Sequence, residues 1–124
     1  MAQAMVIDDS RAMRTILSRN LERFGYDVAQ AVNGRDALEQ IDQEDSRIGL
    51  FLVDWNMPEM NGLEFIKNLR SQLRYQSTPV MMVTTETEAD QIAAALDAGA
   101  NEYVIKPFTE DIIGEKLRQL GLLG

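Results

Sequence analysis

The sequence predicts an α/β fold: a doubly wound, five-stranded parallel sheet with five helices divided between its two faces. Three observations carry that expectation. Short apolar runs alternate five times with longer amphipathic stretches, the pattern of successive β-α units joined by right-handed crossovers. The runs are apolar throughout rather than alternating, as in strands covered on both faces. Polar residues of one consistent kind then follow the runs: Asp8 and Asp9, Asp54, Thr84 and Lys106.

Each element follows in order. Ala4, Met5, Val6 and Ile7 form the first strand, ending at Asp8 and Asp9. Residues 10–24 carry Met13, Ile16, Leu17, Leu21 and Phe24 at helical spacing, and Gly25 supplies the stop. Residues 26–31 are a weaker strand, and Asn33 with Gly34 turns into a helix presenting Ala37, Leu38 and Ile41. Leu50 to Val53 is the third strand; residues 61–69 form a helix with Leu63, Phe65, Ile66 and Leu69. Residues 79–83 are the fourth strand, ending at Thr84 and Thr85, and residues 88–98 the fourth helix, with Ile92, Ala93, Leu96 and a cap at Gly99. Tyr103, Val104 and Ile105 form the fifth strand, and residues 109–120 the last helix, with Ile112, Ile113, Leu117 and Leu120 inward.

Composition narrows the chemistry. A chain of 124 residues, 45% hydrophobic and 26% charged, builds one well-formed core. No apolar run approaches the ~20 residues that span a bilayer, and the N-terminus lacks a basic-then-apolar signal, so a cytoplasmic location is expected. Without cysteine there are no disulfides or thiolate sites; without histidine there is no Ser-His-Asp catalysis and no His-ligated metal. A net charge of −8 argues against direct nucleic-acid binding. Any metal would be a hard cation on oxygen ligands.

The carboxyl ends of the strands form the ligand crevice of an open α/β sheet, and Asp8, Asp9, Asp54, Thr84 and Lys106 all fall there. Two carboxylates about 4 Å apart repel by ~4 kcal/mol at an effective dielectric of about 20. Three together need a proton or a cation, and Mg²⁺ is the natural candidate. Lys106 adds a mobile ammonium and Thr84 a hydroxyl donor. A carboxylate nucleophile, a Mg²⁺ site, a lysine and a hydroxyl suit phosphoryl transfer, with Asp54 at the end of the central strand as nucleophile. Taken singly the residues have plainer readings. Asp8 and Asp9 could cap a helix, Thr84 could be a strand-end hydroxyl, and Lys106 a solvated lysine.

Four stretches in order resemble the receiver domains of bacterial response regulators across essentially the whole chain: DD after the first strand, LVDWNMPEMNGLEF, PVMMVTTE and YVIKPF. Within that family the chain looks like the single-domain chemotaxis regulators. The resemblance implies a single receiver domain over residues 1–124, with the flavodoxin-like strand order 2-1-3-4-5. Asp54 would be the phosphoacceptor. Mg²⁺ would be held by Asp9, Asp54 and the backbone carbonyl of Asn56, with Asp8 acting through water. Lys106 would contact the phosphoryl group, Thr84 would move to bond it, and Tyr103 would turn as the switch aromatic. Asn56 and Glu86 would tune the lifetime of the phosphate, and the Lys106–Pro107 peptide would be cis.

What the resemblance implies is a signalling switch, not an enzyme, taking part only in its own phosphorylation and dephosphorylation. A histidine kinase would donate the phosphoryl group. The partners downstream would be a target such as the flagellar motor switch, and a phosphatase. Nucleic-acid contact and membrane insertion are not expected, and a monomer is. With a start at Met1 and an end at Gly124 just past the last helix, a complete protein whose output is binding is expected. Two alternatives share the motifs: a phosphorelay shuttle, or a receiver belonging to a longer regulator with transcriptional or enzymatic output. A third, a small Mg²⁺ phosphohydrolase with an aspartyl-phosphate intermediate, needs an acid/base carboxylate where Asn56 stands.

One departure stands out, and it contrasts with the first helix. From Glu86 to Glu102 there are five acidic residues and no lysine or arginine, whereas enteric chemotaxis members carry lysines early in the fourth helix. Arg11, Arg14, Arg19 and Arg23 make the first helix basic, either as a solvated face or as a docking site for an acidic histidine phosphotransfer partner. Trp55, the single tryptophan, adjoins Asp54 and provides a probe.

Overall fold

A computed structural model describes residues 2–43 and 47–123; Met1 and Gly124, the two chain ends, lie outside them. Among the described residues eleven elements follow one another: β1 (Gln3–Ile7), α1 (Arg11–Arg23), β2 (Asp27–Ala31), α2 (Gly34–Gln43), β3 (Leu50–Val53), α3 (Gly62–Arg70), a short 3₁₀ turn (Leu73–Tyr75), β4 (Val80–Thr84), α4 (Ala89–Ala98), β5 (Glu102–Ile105) and α5 (Glu110–Gln119). The strands form one sheet in the order β2-β1-β3-β4-β5, every pair parallel.

Strand periodicity of two divides the core. Met5, Ile7, Phe51, Val53, Val80 and Met82 point to one face and pack with Ala37 and Ile41 of α2 and Phe65, Ile66 and Leu69 of α3. Ala4, Val6, Leu50, Leu52, Met81 and Val83 point to the other, against Leu17 and Leu21 of α1 and Ile113 and Leu117 of α5. The central strands β1 and β3 are therefore rigid mounts, and their ends place Asp8 and Asp54 side by side, with Asp54 N–H bonded to the Ile7 carbonyl at 3.0 Å.

Local chemistry sets the helix ends. Ser10 caps α1 by accepting the Met13 N–H, so neither Asp8 nor Asp9 is the cap. Asn61 and Glu64 form a reciprocal capping box that starts α3 right after the Asp54 loop. Gly25 and Gly99 take the positive φ that stops α1 and α4.

The inward expectation for Ile112 fails, and three other apolar residues of the helical patterns face solvent too. Ile16 on α1, Leu96 on α4 and Ile112 on α5 are 48%, 45% and 39% exposed, and Ala93 on α4 is exposed as well. Adjacent helical residues point about 100° apart. Leu17 and Ile113 take the buried directions, which turns Ile16 and Ile112 outward. On α4 the buried side is Ala95, flanked by Ala94 and Ala98, so small side chains rather than Leu96 meet the core. The 3₁₀ turn, with its buried Tyr75, was not foreseen; no apolar period marks so short an element.

Candidate functional site

The strand ends bring together what the sequence placed there. Oxygens of Asp8, Asp9 and Asp54 all lie within 4.8 Å of one another. Asp8 and Asp54 are buried and Asp9 is exposed. Lys106, from the end of β5, reaches across two strands: its Nζ lies 2.8 Å from Asp8 Oδ2 and 3.5 Å from Asp54 Oδ2. Thr84 is fully buried at the end of β4, and the Lys106–Pro107 peptide bond is cis.

Electrostatics single out Asp54. Burial pushes its carboxyl above the ordinary aspartate range, and the Asp8 charge adds to that push; the Thr84 hydroxyl, the Lys106 ammonium and the Asn56 N–H oppose it. Asp8 is better satisfied, accepting the Ser10 N–H at 2.9 Å on one oxygen and Lys106 on the other. Asp54 Oδ1, by contrast, is buried and without a hydrogen-bond partner. An orphaned carboxylate oxygen, beside two further carboxylates and with oxygen the only donor type, fits a hard divalent cation.

Glu86 and Tyr103 stand next to this cluster. The Glu86 N–H donates to Thr84 Oγ1 at 3.2 Å, and the Glu86 carbonyl accepts from the Tyr103 hydroxyl at 3.0 Å. The β4–α4 loop is thus held at one residue by two hydroxyls. Burial, then the Glu86 and Asp54 charges, raise the Tyr103 phenol above its ordinary pKa. Asn56 is exposed on the loop after Asp54, and Trp55 is buried beside it.

Sequence reasoning missed three sets of long-range contacts. Arg14 donates from Nη1 to the Asp8 carbonyl at 2.7 Å and from Nε to Gln30 at 3.2 Å, fixing the backbone of the acidic corner. Arg23 pairs with Glu110 of α5. The basic α1 face is therefore half engaged, leaving Arg11 and Arg19 exposed. The third is a contact between Asn33 and Glu59, at 3.3 Å. No local pattern signals these pairs, because their members lie 6 to 87 positions apart.

Known proteins agree with this geometry. The response regulator receiver domain family matches residues 4–118. The chemotaxis protein CheY1 of Helicobacter pylori is 44% identical over 115 residues, 91% of each chain. The chemotaxis protein CheY homolog of Campylobacter jejuni is 41% identical over 117 residues, covering 94% of this chain and 89% of its own. Among solved structures, the chemotaxis protein CheY4 of Vibrio cholerae superposes with a TM-score of 0.88 at 35% identity, over 96% of this chain and 98% of that one. Strand order, strand-end chemistry and these likenesses converge, and the chain belongs to the response regulator receiver domain family.

Proposed function

We propose that this chain is a phosphoacceptor switch whose nucleophile is Asp54. The observation that carries the reading is the buried Asp54 carboxylate, one oxygen without a partner, set between two further carboxylates and the Lys106 ammonium.

An Asp54 oxygen attacks the phosphorus of a phosphohistidine on a partner kinase. The P–O bond forms as the P–N bond breaks, and the departing imidazole nitrogen keeps the electron pair and takes a proton from solvent. Asp9, Asp54 and the Asn56 carbonyl would hold Mg²⁺, with Asp8 behind them; when bound, the ion supplies charge neutralisation for the phosphoryl oxygens. Lys106 neutralises the same oxygens from the β5 side, and Thr84 donates its hydroxyl to them. Hydrolysis reverses the mark: water attacks phosphorus, and the Asp54 carboxylate and inorganic phosphate are released. Asn56 and Glu86 flank the path of that water and tune its rate.

Phosphorylation replaces the single carboxylate charge of Asp54 with a phosphoryl group carrying about −1.5 to −2. Drawing the Thr84 hydroxyl toward it removes the acceptor of the Glu86 N–H, so the β4–α4 loop and Tyr103 rearrange together. The output face is the surface around the edge strand, where Leu96 of α4, Ile105 of β5 and Ile112 of α5 are all exposed. An apolar patch next to the switch residues suits a protein target. Relatives that bear chemotaxis names support a chemotaxis pathway. In this reading a histidine kinase acts upstream, a motor-type target lies downstream, a phosphatase resets the signal, and the protein acts in the cytoplasm as a monomeric single domain.

Trp55 fluorescence tests the reading. Titration with MgCl₂, then acetyl phosphate, changes the emission of the wild type, and intact mass registers one added phosphoryl group. Asp54→Asn abolishes the mass change. Equal phosphorylation of Asp54→Asn and wild type would remove Asp54 from its role.

A further inference from the structure

The loop between β3 and α3 carries Asn56, and its two ends are fixed: Trp55 carbonyl accepts the Gly62 N–H at 2.9 Å, and Asn61 begins the α3 capping box. Its tip, residues 56–60, is supported differently. Pro58 carbonyl accepts the Met60 N–H at 2.7 Å. Between them Glu59 adopts φ +67°, the one non-glycine residue with positive φ among the described residues. A side chain with a Cβ takes that conformation only when its surroundings enforce it.

A contact from another part of the sheet meets the Glu59 side chain. Asn33 is buried at the end of β2, where its Oδ1 accepts the Asp36 N–H at 2.8 Å and so caps α2. Its Nδ2 donates to Glu59 Oε2 at 3.3 Å. Among the described residues this is the one side-chain hydrogen bond joining the tip to a different element. Met60 reinforces it from the next position: its Cγ and Sδ would stand 3.0 Å from a Cβ on Gly34, so the two loops touch.

We infer that the Asn33–Glu59 hydrogen bond is a latch that holds the 56–60 tip in place and thereby fixes the direction in which Asn56 presents its carbonyl to the strand-end cluster. Glu59 is a positioning residue; it acts through Asn56 and not on the phosphoryl group. Supports one shell behind a ligand are where metal affinity is tuned. The inference rests on the metal reading proposed above for its functional consequence, and on the loop geometry alone for the latch itself.

Three variants separate the parts. Glu59→Ala removes the acceptor. Asn33→Ser removes the amide donor while its hydroxyl still caps α2. Glu59→Gln keeps an oxygen acceptor and removes the charge. Mg²⁺ affinity read by Trp55 fluorescence falls about tenfold in Glu59→Ala and Asn33→Ser and stays within about twofold of wild type in Glu59→Gln. In metal-free protein, amide hydrogen exchange across residues 56–60 speeds up in the first two variants and not in the third. Should Glu59→Gln lose as much affinity as Glu59→Ala while Asn33→Ser behaves as wild type, Glu59 acts as a charge and the latch is overturned. Unchanged exchange in Glu59→Ala and Asn33→Ser overturns it as well. If the wild type itself ignores Mg²⁺, the metal reading fails, and the metal-free exchange still decides the latch.

Discussion

Lys106 is closer to Asp8, at 2.8 Å, than to Asp54, at 3.5 Å. Asp8 is only 1% exposed and the Lys106 side chain 12%, so this is a nearly buried ion pair next to the Asp54 carboxylate. The ammonium rests on Asp8 and remains within reach of whatever charge develops at Asp54.

Removing that ammonium leaves two buried carboxylates facing each other. Breaking one side of a buried pair costs about 3–5 kcal/mol, so Lys106→Ala unfolds at a markedly lower temperature than wild type without divalent ion. A cation bound only by the folded state restores part of the loss. Thermal unfolding with and without MgCl₂ gives a larger Mg²⁺-induced rise for the variant than for wild type. Equal rises would mean that lysine and metal do not share the same carboxylates.

Asp54 makes stability depend on pH in a direction unusual for an aspartate. Its carboxyl is raised by burial, so in the window between the ordinary aspartate pKa and the raised one the folded state binds more protons than the unfolded state. Stability then falls as pH rises through that window. Asp54→Asn removes the effect. At neutral pH without metal the variant gains stability on the order of 1 kcal/mol, a midpoint rise of about 2–5 °C. The gain shrinks to nothing as pH drops below the ordinary aspartate range. A midpoint unchanged at pH 7 would show that the Asp54 charge is fully compensated by Lys106 and Thr84.

The strands and the cluster were legible because each rests on local information: apolar runs of four or five residues, and polar residues at their ends. What could not be read is what depends on meeting at a distance. Lys106 could be placed at the crevice, but nothing in YVIKPF says that Asp8 rather than Asp54 is its nearer partner. The outward turn of Leu96 and Ile112 was hidden for a related reason. An apolar residue on a helix is drawn inward by pattern alone, and only packing against α3 and α1 decides which of two neighbours wins. Glu59 gave no signal, since a left-handed conformation is ordinarily announced by glycine or asparagine.

Gly62 allows no side chain. A Cβ there would stand 2.4 Å from the Asp54 carbonyl oxygen and 3.0 Å from Trp55 Cα, both backbone atoms of the β3 exit. Neither can yield without moving Asp54 itself. Gly62→Ala loses about 3 kcal/mol of stability in denaturant unfolding, and Trp55 emission shifts even without metal. Gly114→Ala provides the contrast: its Cβ would meet the ring of Phe24 at 2.7 Å, a side chain that is only partly buried and can swing away. A smaller loss at position 114 than at 62 is expected, and the reverse order would place the rigid contact in the wrong half of the molecule.

Tyr103 and Thr84 hold Glu86 from opposite sides of its backbone, through its carbonyl and its N–H. Tyr103→Phe removes one hold and keeps the ring in place. Phosphorylation of Asp54 by acetyl phosphate proceeds within about twofold of the wild-type rate, because the lost hydroxyl touches neither Asp54 nor Lys106, and an uncharged hydrogen bond carries only about 0.5–1.5 kcal/mol. The change appears in the loop: amides at 86–88 exchange faster in the unphosphorylated variant, approaching the rate that phosphorylation produces in the wild type. Thr84→Val, which removes the other hold and also the donor beside Asp54, slows phosphorylation as well. Tyr103→Phe exchanging like wild type while Thr84→Val exchanges fast would assign the loop to Thr84 alone, and the phenol would then have no part in coupling Asp54 to the exposed face around β5.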